Sequence, residues 1–360
     1  MMYLLCERHD QARSRMRMGH MKEFTKEELA IIDIVEHGME GNGLADDEIM
    51  KLYAVDWRSR VAAHIRWAGG TMQYEMSNGT AEIHAQIGLN GTPCPKNCKF
   101  CSFAIVNDLR HGKLEMPKAD VVEYAKIYED QGANAILLLA TASYKFSNVL
   151  EMASAVREVI SPGMPLITNT EDISLDQAKQ LKAVGVNGAY HAVRMREGED
   201  TEIPVEDRLQ TFENLREAGL SISTCVEPVG PEHTPKELTR ATRLAIDSGA
   251  LSAGVGRRIS VPGTVIADRG MIQDDRNSMN VAIYRLAAGK HIQPLNCSMS
   301  SALSAASGAN LAWAEVGTNP RDVQERTENG GQGYDIAYCR DQFEKAGYQV
   351  LEGPSQGWML

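Results

Sequence analysis

The chain has 360 residues, a net charge of −11, and a composition of 43% apolar and 24% charged residues. Such a chain buries a sizeable core without disulfide staples, and its acidity argues against nucleic acid as the main partner, because phosphate binding needs a basic footprint. No apolar run approaches bilayer length, and the stretch AILLLATA (135–142) is long enough only for a strand.

Residues 1–20 are polar, rich in methionine and without the apolar centre of a signal peptide. They read as a disordered extension ahead of a more regular start at Met21. With an odd number of cysteines, 7 in all, the expected setting is a reducing cytoplasm. Residues 21–80 read as helices packed on the domain that follows. Thr25 and Glu28 have the spacing of a capping box before an apolar-periodic run. The segment 45–70 keeps helical periodicity up to a closing Gly69–Gly70 pair.

From residue 82 the rhythm alternates. Strand-like runs at 82–89, 134–141, 165–169, 187–193, 220–226, 251–257, 291–296 and 311–315 are separated by helix-like stretches at 118–131, 147–160, 174–184, 205–218, 235–248, 272–288 and 299–308. Several helices open on caps, such as Ser174 and the pair Thr234–Pro235. Eight strands alternating with seven helices predict an α/β fold, a (β/α)8 TIM-type barrel over 81–317. No glycine fingerprint for a dinucleotide follows the first strand. The glycine-rich, then helical tail at 318–360 is expected to cap the barrel.

The stretch NGTPCPKNCKFCSFA (90–104) places Cys94, Cys98 and Cys101 in the loop directly after the first strand. In a parallel barrel that loop lies at the face where active sites sit. Thiolates are soft ligands for iron–sulfur clusters or zinc. Three of them leave one iron of a four-iron cluster open. A closed zinc site needs a fourth ligand, and neither His84 nor His111 has finger spacing. A trio of inert thiols is the third alternative.

The C-x3-C-x2-C spacing after the first barrel strand, with the aromatic Phe100 before the third cysteine, resembles the radical S-adenosylmethionine (SAM) superfamily. The resemblance implies a [4Fe–4S] cluster on Cys94, Cys98 and Cys101, with SAM on the fourth iron. It implies reductive cleavage of SAM to a 5′-deoxyadenosyl radical that abstracts hydrogen from a small-molecule substrate. A reduced ferredoxin or flavodoxin is the implied electron donor. VPGTVIAD (261–268) and SGANLAWAEVGTNPRD (307–322) are similar to stretches of the biotin synthase-like group. YHAVRMREG (190–198) is similar to the fourth-strand segment of its HydE and methylornithine synthase branch. On this likeness Arg194 contacts SAM, and Glu197 matches the accompanying acid after a one-residue shift. Thr141 and Ser143, ending the second strand, fall where the SAM amino group is bound. Val229 and Gly230 fall in the loop beside adenine.

The chain departs from biotin synthase on its second and third strands. That enzyme carries cysteines there for an auxiliary cluster, whereas this sequence has Ala140–Thr141 and ITNTED (167–172). Cys225 and Cys297, on the fifth and seventh strands, stay open as ligands of a second iron–sulfur cluster, a sulfur source, a hydrogen donor, or buried thiols acting as small hydrophobes. Cys6 and Cys339 are read as incidental. For the substrate, one of the neighbours Arg257 and Arg258 is expected to point inward and pair with a carboxylate or phosphate. His191, Glu227, Glu171 and Asp172 also fall at or near strand ends. Trp57, Trp67 and Trp313 are read as packing residues. The leading expectation is a radical SAM enzyme acting on a small, carboxylate-bearing metabolite. Sulfur insertion, a non-catalytic iron–sulfur protein and a zinc-stabilised module are the alternatives.

Overall fold

A computed structural model describes residues 23–298 and 300–358. The expected extension at 1–20, with Cys6, lies outside the described residues. The chain opens with three helices, α1 (Lys26–Glu40), α2 (Asp46–Tyr53) and α3 (Arg60–Met76). The capping box forms: the Glu28 N–H donates to Thr25 Oγ1 at 3.2 Å, and the Thr25 N–H donates to Glu28 Oε2 at 2.8 Å.

The periodic segment 45–70 folds differently from its expectation. It breaks between α2 and α3, and α3 runs on through Gly69 and Gly70 instead of stopping there. These glycines serve close packing. A Cβ on Gly69 would lie 2.5 Å from the Cα of Ala282, and one on Gly70 would lie 2.1 Å from the carbonyl oxygen of Ala306. Gly70→Ala is therefore expected to cost about 1–3 kcal/mol through overpacking, read as a lowered melting temperature. An unchanged melt would refute the close approach.

The barrel strands are β1 (Thr80–Gly88), β2 (Ala135–Leu139), β3 (Leu166–Asn169), β4 (Gly188–Tyr190), β5 (Ser221–Ser223), β6 (Val226–Val229), β7 (Ser252–Arg257), β8 (Leu295–Ser298) and β9 (Leu311–Gly317). All are parallel, and β9 pairs back onto β1, so the sheet closes into an eight-stave (β/α)8 barrel. The fifth stave is split into β5 and β6, with a register shift against β7. Around it lie α4 (Lys118–Asp130), α5 (Phe146–Arg157), α6 (Leu175–Ala183), α7 (Val205–Glu217), α8 (Pro235–Asp247), α9 (Asp274–Ala288) and α10 (Ala302–Ala306). The strand expected at 291–296 begins only at Leu295, because Pro294 has no N–H to give a ladder. The helix expected at 299–308 shortens to α10.

Alternation along the staves sorts the side chains. On β1, Ile83, Ala85 and Ile87 join the apolar layer beneath the helices, which leaves His84 and Gln86 facing inward. Their register partners on β9 are Trp313 and Glu315. The interior is therefore partly polar, which a purely structural barrel core would avoid.

The tail acts at both ends. Its helix α11 (Ile336–Lys345) packs on β1 and β9, and β10 (Gln349–Val350) pairs with β1. Beyond it Trp358, fully buried, clusters with Ala135, Leu137, Leu139 and Ile167 and closes the lower mouth. Gly188 makes room for it, since a Cβ there would meet the indole at 2.4 Å. Pro320, Arg321 and Tyr334 instead reach the upper cavity. Among the described residues no helix is long and apolar enough to cross a membrane.

Candidate functional site

A cavity of about 250 Å³ occupies the upper half of the barrel, where the strands end. The loop after β1 brings Cys94, Cys98 and Cys101 to its wall. That loop is pinned by its own backbone. The Cys94 N–H donates to the Phe103 carbonyl at 2.7 Å, and the Cys101 N–H donates to the Cys98 carbonyl at 3.0 Å. Asn107 Nδ2 donates to the Cys98 and Cys101 carbonyls at 3.3 and 2.7 Å. Asn97 turns the chain with a φ of 48°, a left-handed conformation that asparagine tolerates. All three thiols are free. Burial pushes Cys98 up to about 11 and Cys101 higher still, so loading a metal group here must displace protons.

These residues do not fit one zinc ion. With Zn–S near 2.3 Å, a tetrahedral ion would hold its sulfurs within about 4 Å of each other. Among the described residues no group of three His, Cys, Asp or Glu side chains could hold a single metal ion. His84 is fully buried inside the barrel and bonded to Glu82 at 2.9 Å, and His111 is exposed beside Asp108. Three soft donors on one pinned loop fit a larger iron–sulfur group with one iron left open. Phe100 lines the same wall.

The expected SAM contacts divide. Thr141 and Arg194 line the cavity. Thr141 Oγ1 accepts from Asn90 Nδ2 at 2.8 Å and shares a 2.7 Å hydrogen bond with Ser143 Oγ, which stands behind it outside the wall. Arg194 Nη2 lies 3.5 Å from Glu227 Oε1. Glu197 is buried away from the cavity. It accepts the Arg194 N–H at 2.8 Å and the Thr201 hydroxyl at 2.6 Å, so it shapes the turn that presents Arg194. Val229 is wholly buried in the apolar layer, and Pro228 lines the cavity in its place. At Gly230 a Cβ would come within 2.3 Å of Glu232 and 2.5 Å of Arg258, so the glycine makes room for that ion pair.

His191 lines the wall, and its Nε2 lies 3.2 Å from the Arg208 carbonyl. Burial, with Arg208 and Arg194 nearby, holds its pKa well below the usual range, so the ring is neutral. Glu171 is half-exposed at the rim, 3.8 Å from Lys96. Asp172 stands outside the wall, 3.2 Å from Arg208 and 3.6 Å from His191. Both Arg257 and Arg258 reach the cavity, because β7 ends at Arg257 and strand alternation stops there. Arg258 is committed to Glu232 and to the Gly270 carbonyl at 2.8 Å. Arg257 pairs with Asp274, and its Nε has no partner.

The Glu232–Arg258 pair has a pH signature. Burial opposes the Glu232 charge, but hydrogen bonding to Arg258 wins and holds the carboxyl at about 2, below its ordinary 4.5. A depressed acid stabilises the fold above the unfolded value and loses that contribution as pH falls through the folded one. Glu232→Gln is expected to cost about 3 kcal/mol at neutral pH by stranding a buried guanidinium. In urea titrations the gap to the parent should shrink as pH drops from 4.5 towards 2. A constant gap would refute the assignment.

Several cavity residues were not among the candidates from sequence. Gln86 Nε2 donates to Glu315 Oε1 at 2.9 Å, Asn319 Nδ2 donates to Glu315 Oε2 at 3.2 Å, and Arg321 pairs with the same carboxylate. The Tyr190 hydroxyl donates to Glu227 Oε1 at 2.5 Å. Arg321 Nε is buried without a partner. Period-two alternation could have found Gln86 and Glu315. Arg321 falls in the stretch 307–322 that carries the likeness, which assigned it no role, and nothing local marks Tyr334. Trp313 is more than packing: its Nε1–H donates to Cys297 Sγ at 3.1 Å. Trp67 is 54% exposed, stacked on His64. Cys225 and Cys297 both line the cavity, and Cys339 lies outside it.

A model of the radical SAM superfamily matches residues 91–245. The mitochondrial biotin synthase of Emericella nidulans is 28% identical over 244 residues, 61% of this chain and 61% of that protein. Biotin synthase of Rhodopirellula baltica is 27% identical over 169 residues, 43% of this chain and 45% of that protein. The chain thus spans about half to three-fifths of these relatives' length. Among solved structures, HydG, a maturase of the [FeFe]-hydrogenase, superposes with a TM-score of 0.73 at 13% identity, covering 95% of this chain and 79% of that one. Methylornithine synthase superposes with a TM-score of 0.71 at 14% identity, covering 90% and 98%. At such identities these two speak for the barrel fold alone.

Proposed function

The chain is a radical SAM protein of the biotin synthase-like group, and from that premise we propose that it is an enzyme whose cavity activates a small, carboxylate-bearing metabolite by hydrogen abstraction. The observation that carries this reading is the convergence of the Cys94, Cys98 and Cys101 loop and the guanidinium groups of Arg194, Arg257 and Arg321 on one barrel cavity. When bound, a [4Fe–4S] cluster on these three cysteines and SAM would supply a 5′-deoxyadenosyl radical, the oxidant that removes hydrogen from unactivated carbon. Arg194, charged and half-screened, stands near Cys98 to receive a carboxylate. Thr141, fixed by Asn90, offers its hydroxyl at the same wall. Arg257 and Arg321 line the same cavity and would pair with a substrate anion through their guanidinium groups. Leu137, Leu139 and Phe103 supply apolar walls that exclude water from a reactive centre. A reduced ferredoxin or flavodoxin as donor, and a reducing cytoplasm as setting, complete the reading.

The test is anaerobic reconstitution, with iron and sulfide counted, EPR of the reduced protein with and without SAM, and 5′-deoxyadenosine measured under dithionite. About four irons, a SAM-dependent spectrum and deoxyadenosine are expected. Iron that ignores SAM would replace the enzyme with an electron carrier. The second reading, sulfur insertion, is favoured by Cys225 and Cys297 in the cavity wall, and it predicts close to eight irons, the second cluster being the sulfur donor.

A further inference from the structure

Cys225 and Cys297 take no part in the three-cysteine loop, yet both face the cavity. They stand on the staves either side of β7, and β7 presents glycine between them. Gly254 is the register partner of Cys297. A Cβ on Gly256 would lie 3.5 Å from Cys225 Sγ and 3.4 Å from Glu227 Oε2. No β7 side chain at Gly254 or Gly256 therefore screens the two sulfurs from the cavity. Their surroundings differ: the Cys225 sulfur accepts the Gly256 N–H and lies within the electrostatic reach of Glu227 and Arg194. The Cys297 sulfur is held in place by the Trp313 indole N–H at 3.1 Å. It also lies within the electrostatic reach of Glu227, Arg321 and Glu315. A substrate anion held by Arg321 would bring its carbon skeleton to the same side of the barrel.

We propose that Cys297 is a hydrogen-atom donor: its S–H delivers a hydrogen atom to a carbon-centred radical in the cavity, and Cys225 is not the donor. The inference rests on the radical reading above. The balance is one bond for one bond. A C–H bond forms as the S–H bond breaks; carbon is reduced by one hydrogen atom and sulfur is left as a thiyl radical. The thiyl takes one electron from the low-potential one-electron donor that the radical reading already requires, and one proton from water at the mouth, returning to the thiol. The exchange runs downhill because an S–H bond is weaker than an alkyl C–H bond. Burial supports it by pushing the thiol up to about 12, so that the proton is in place at neutral pH. The consequence is that the product acquires a hydrogen that exchanges with solvent, and that SAM is consumed rather than regenerated.

The probe is SAM alone, without substrate. Reconstituted protein is reduced with dithionite in D₂O, and the deuterium content of the 5′-deoxyadenosine is read by mass spectrometry. A deuterated Cys297 thiol quenching the 5′ carbon should add one deuterium. Cys297→Ser, which keeps the size but has an O–H bond too strong to donate, should lower the labelled fraction by roughly tenfold or more, and Cys225→Ser should leave it unchanged. Label that survives in Cys297→Ser, or that is lost in Cys225→Ser, overturns the assignment. Absence of any deoxyadenosine overturns the radical reading itself, and this inference with it.

Discussion

Cys98→Ala is expected to lose bound iron and 5′-deoxyadenosine formation together, the latter by about a thousandfold or more, equivalent to removing about 4 kcal/mol of transition-state stabilisation. Two remaining thiolates cannot hold a four-iron group while leaving one iron open for an exchangeable ligand. The fold should survive, because the Cys98 backbone carbonyl is held by Asn107 Nδ2 at 3.3 Å and the thiol itself supports no packing partner in the core clusters. The informative control is Cys339→Ala. That thiol is fully buried beneath the helices, with a 3.7 Å contact to the Trp313 carbonyl, and its loss should cost stability while iron stays bound. Iron content by colorimetry and a thermal melt on both variants separate the two effects. Full iron in Cys98→Ala would end the assignment of this loop as the cluster site.

Arg321→Met is expected to destabilise the protein by about 3–5 kcal/mol, because it strands the buried Glu315 carboxylate without its cation. The loss has a direction in pH. Burial already raises the Glu315 pKa above its ordinary 4.5, against the pull of Arg321 and Asn319. For an acid with a raised folded pKa, the unfolded chain gives up its proton first. Stability therefore falls as pH climbs above about 4.5 towards the folded value. Removing Arg321 widens that window, so the variant should be close to the parent in urea near pH 4.5 and far weaker at pH 7.5 or so. The double variant Arg321→Met with Glu315→Gln should recover much of the loss. A pH-independent deficit would mean that Arg321 acts by packing alone. A buried acid whose charge costs stability at neutral pH is what a binding cavity retains and a structural core discards.

Part of this protein is legible from the sequence. The three cysteines, their spacing and their place after the first strand require no tertiary information, because one short loop presents all three. The barrel follows from counting alternations, since a βα unit is a local pattern repeated and closure is the packing solution for eight of them. The capping boxes at Thr25 and Thr234 are equally local. The misreadings have one cause. At Gly69–Gly70 a local stop signal was overridden by a neighbour more than two hundred residues away, Ala282 and Ala306 pressing on the helix backbone. At the cavity, Arg321 and Tyr334 come from the tail, whose local sequence assigns neither a role, and they become site residues only when β9 closes onto β1. The same closure decides that Cys225 and Cys297 share a glycine-faced gap and that Trp358 stops the lower mouth. Donor chemistry and strand rhythm are properties of neighbours along the chain. Which groups meet inside a closed barrel depends on register and on contacts between distant segments, and only the folded chain determines those.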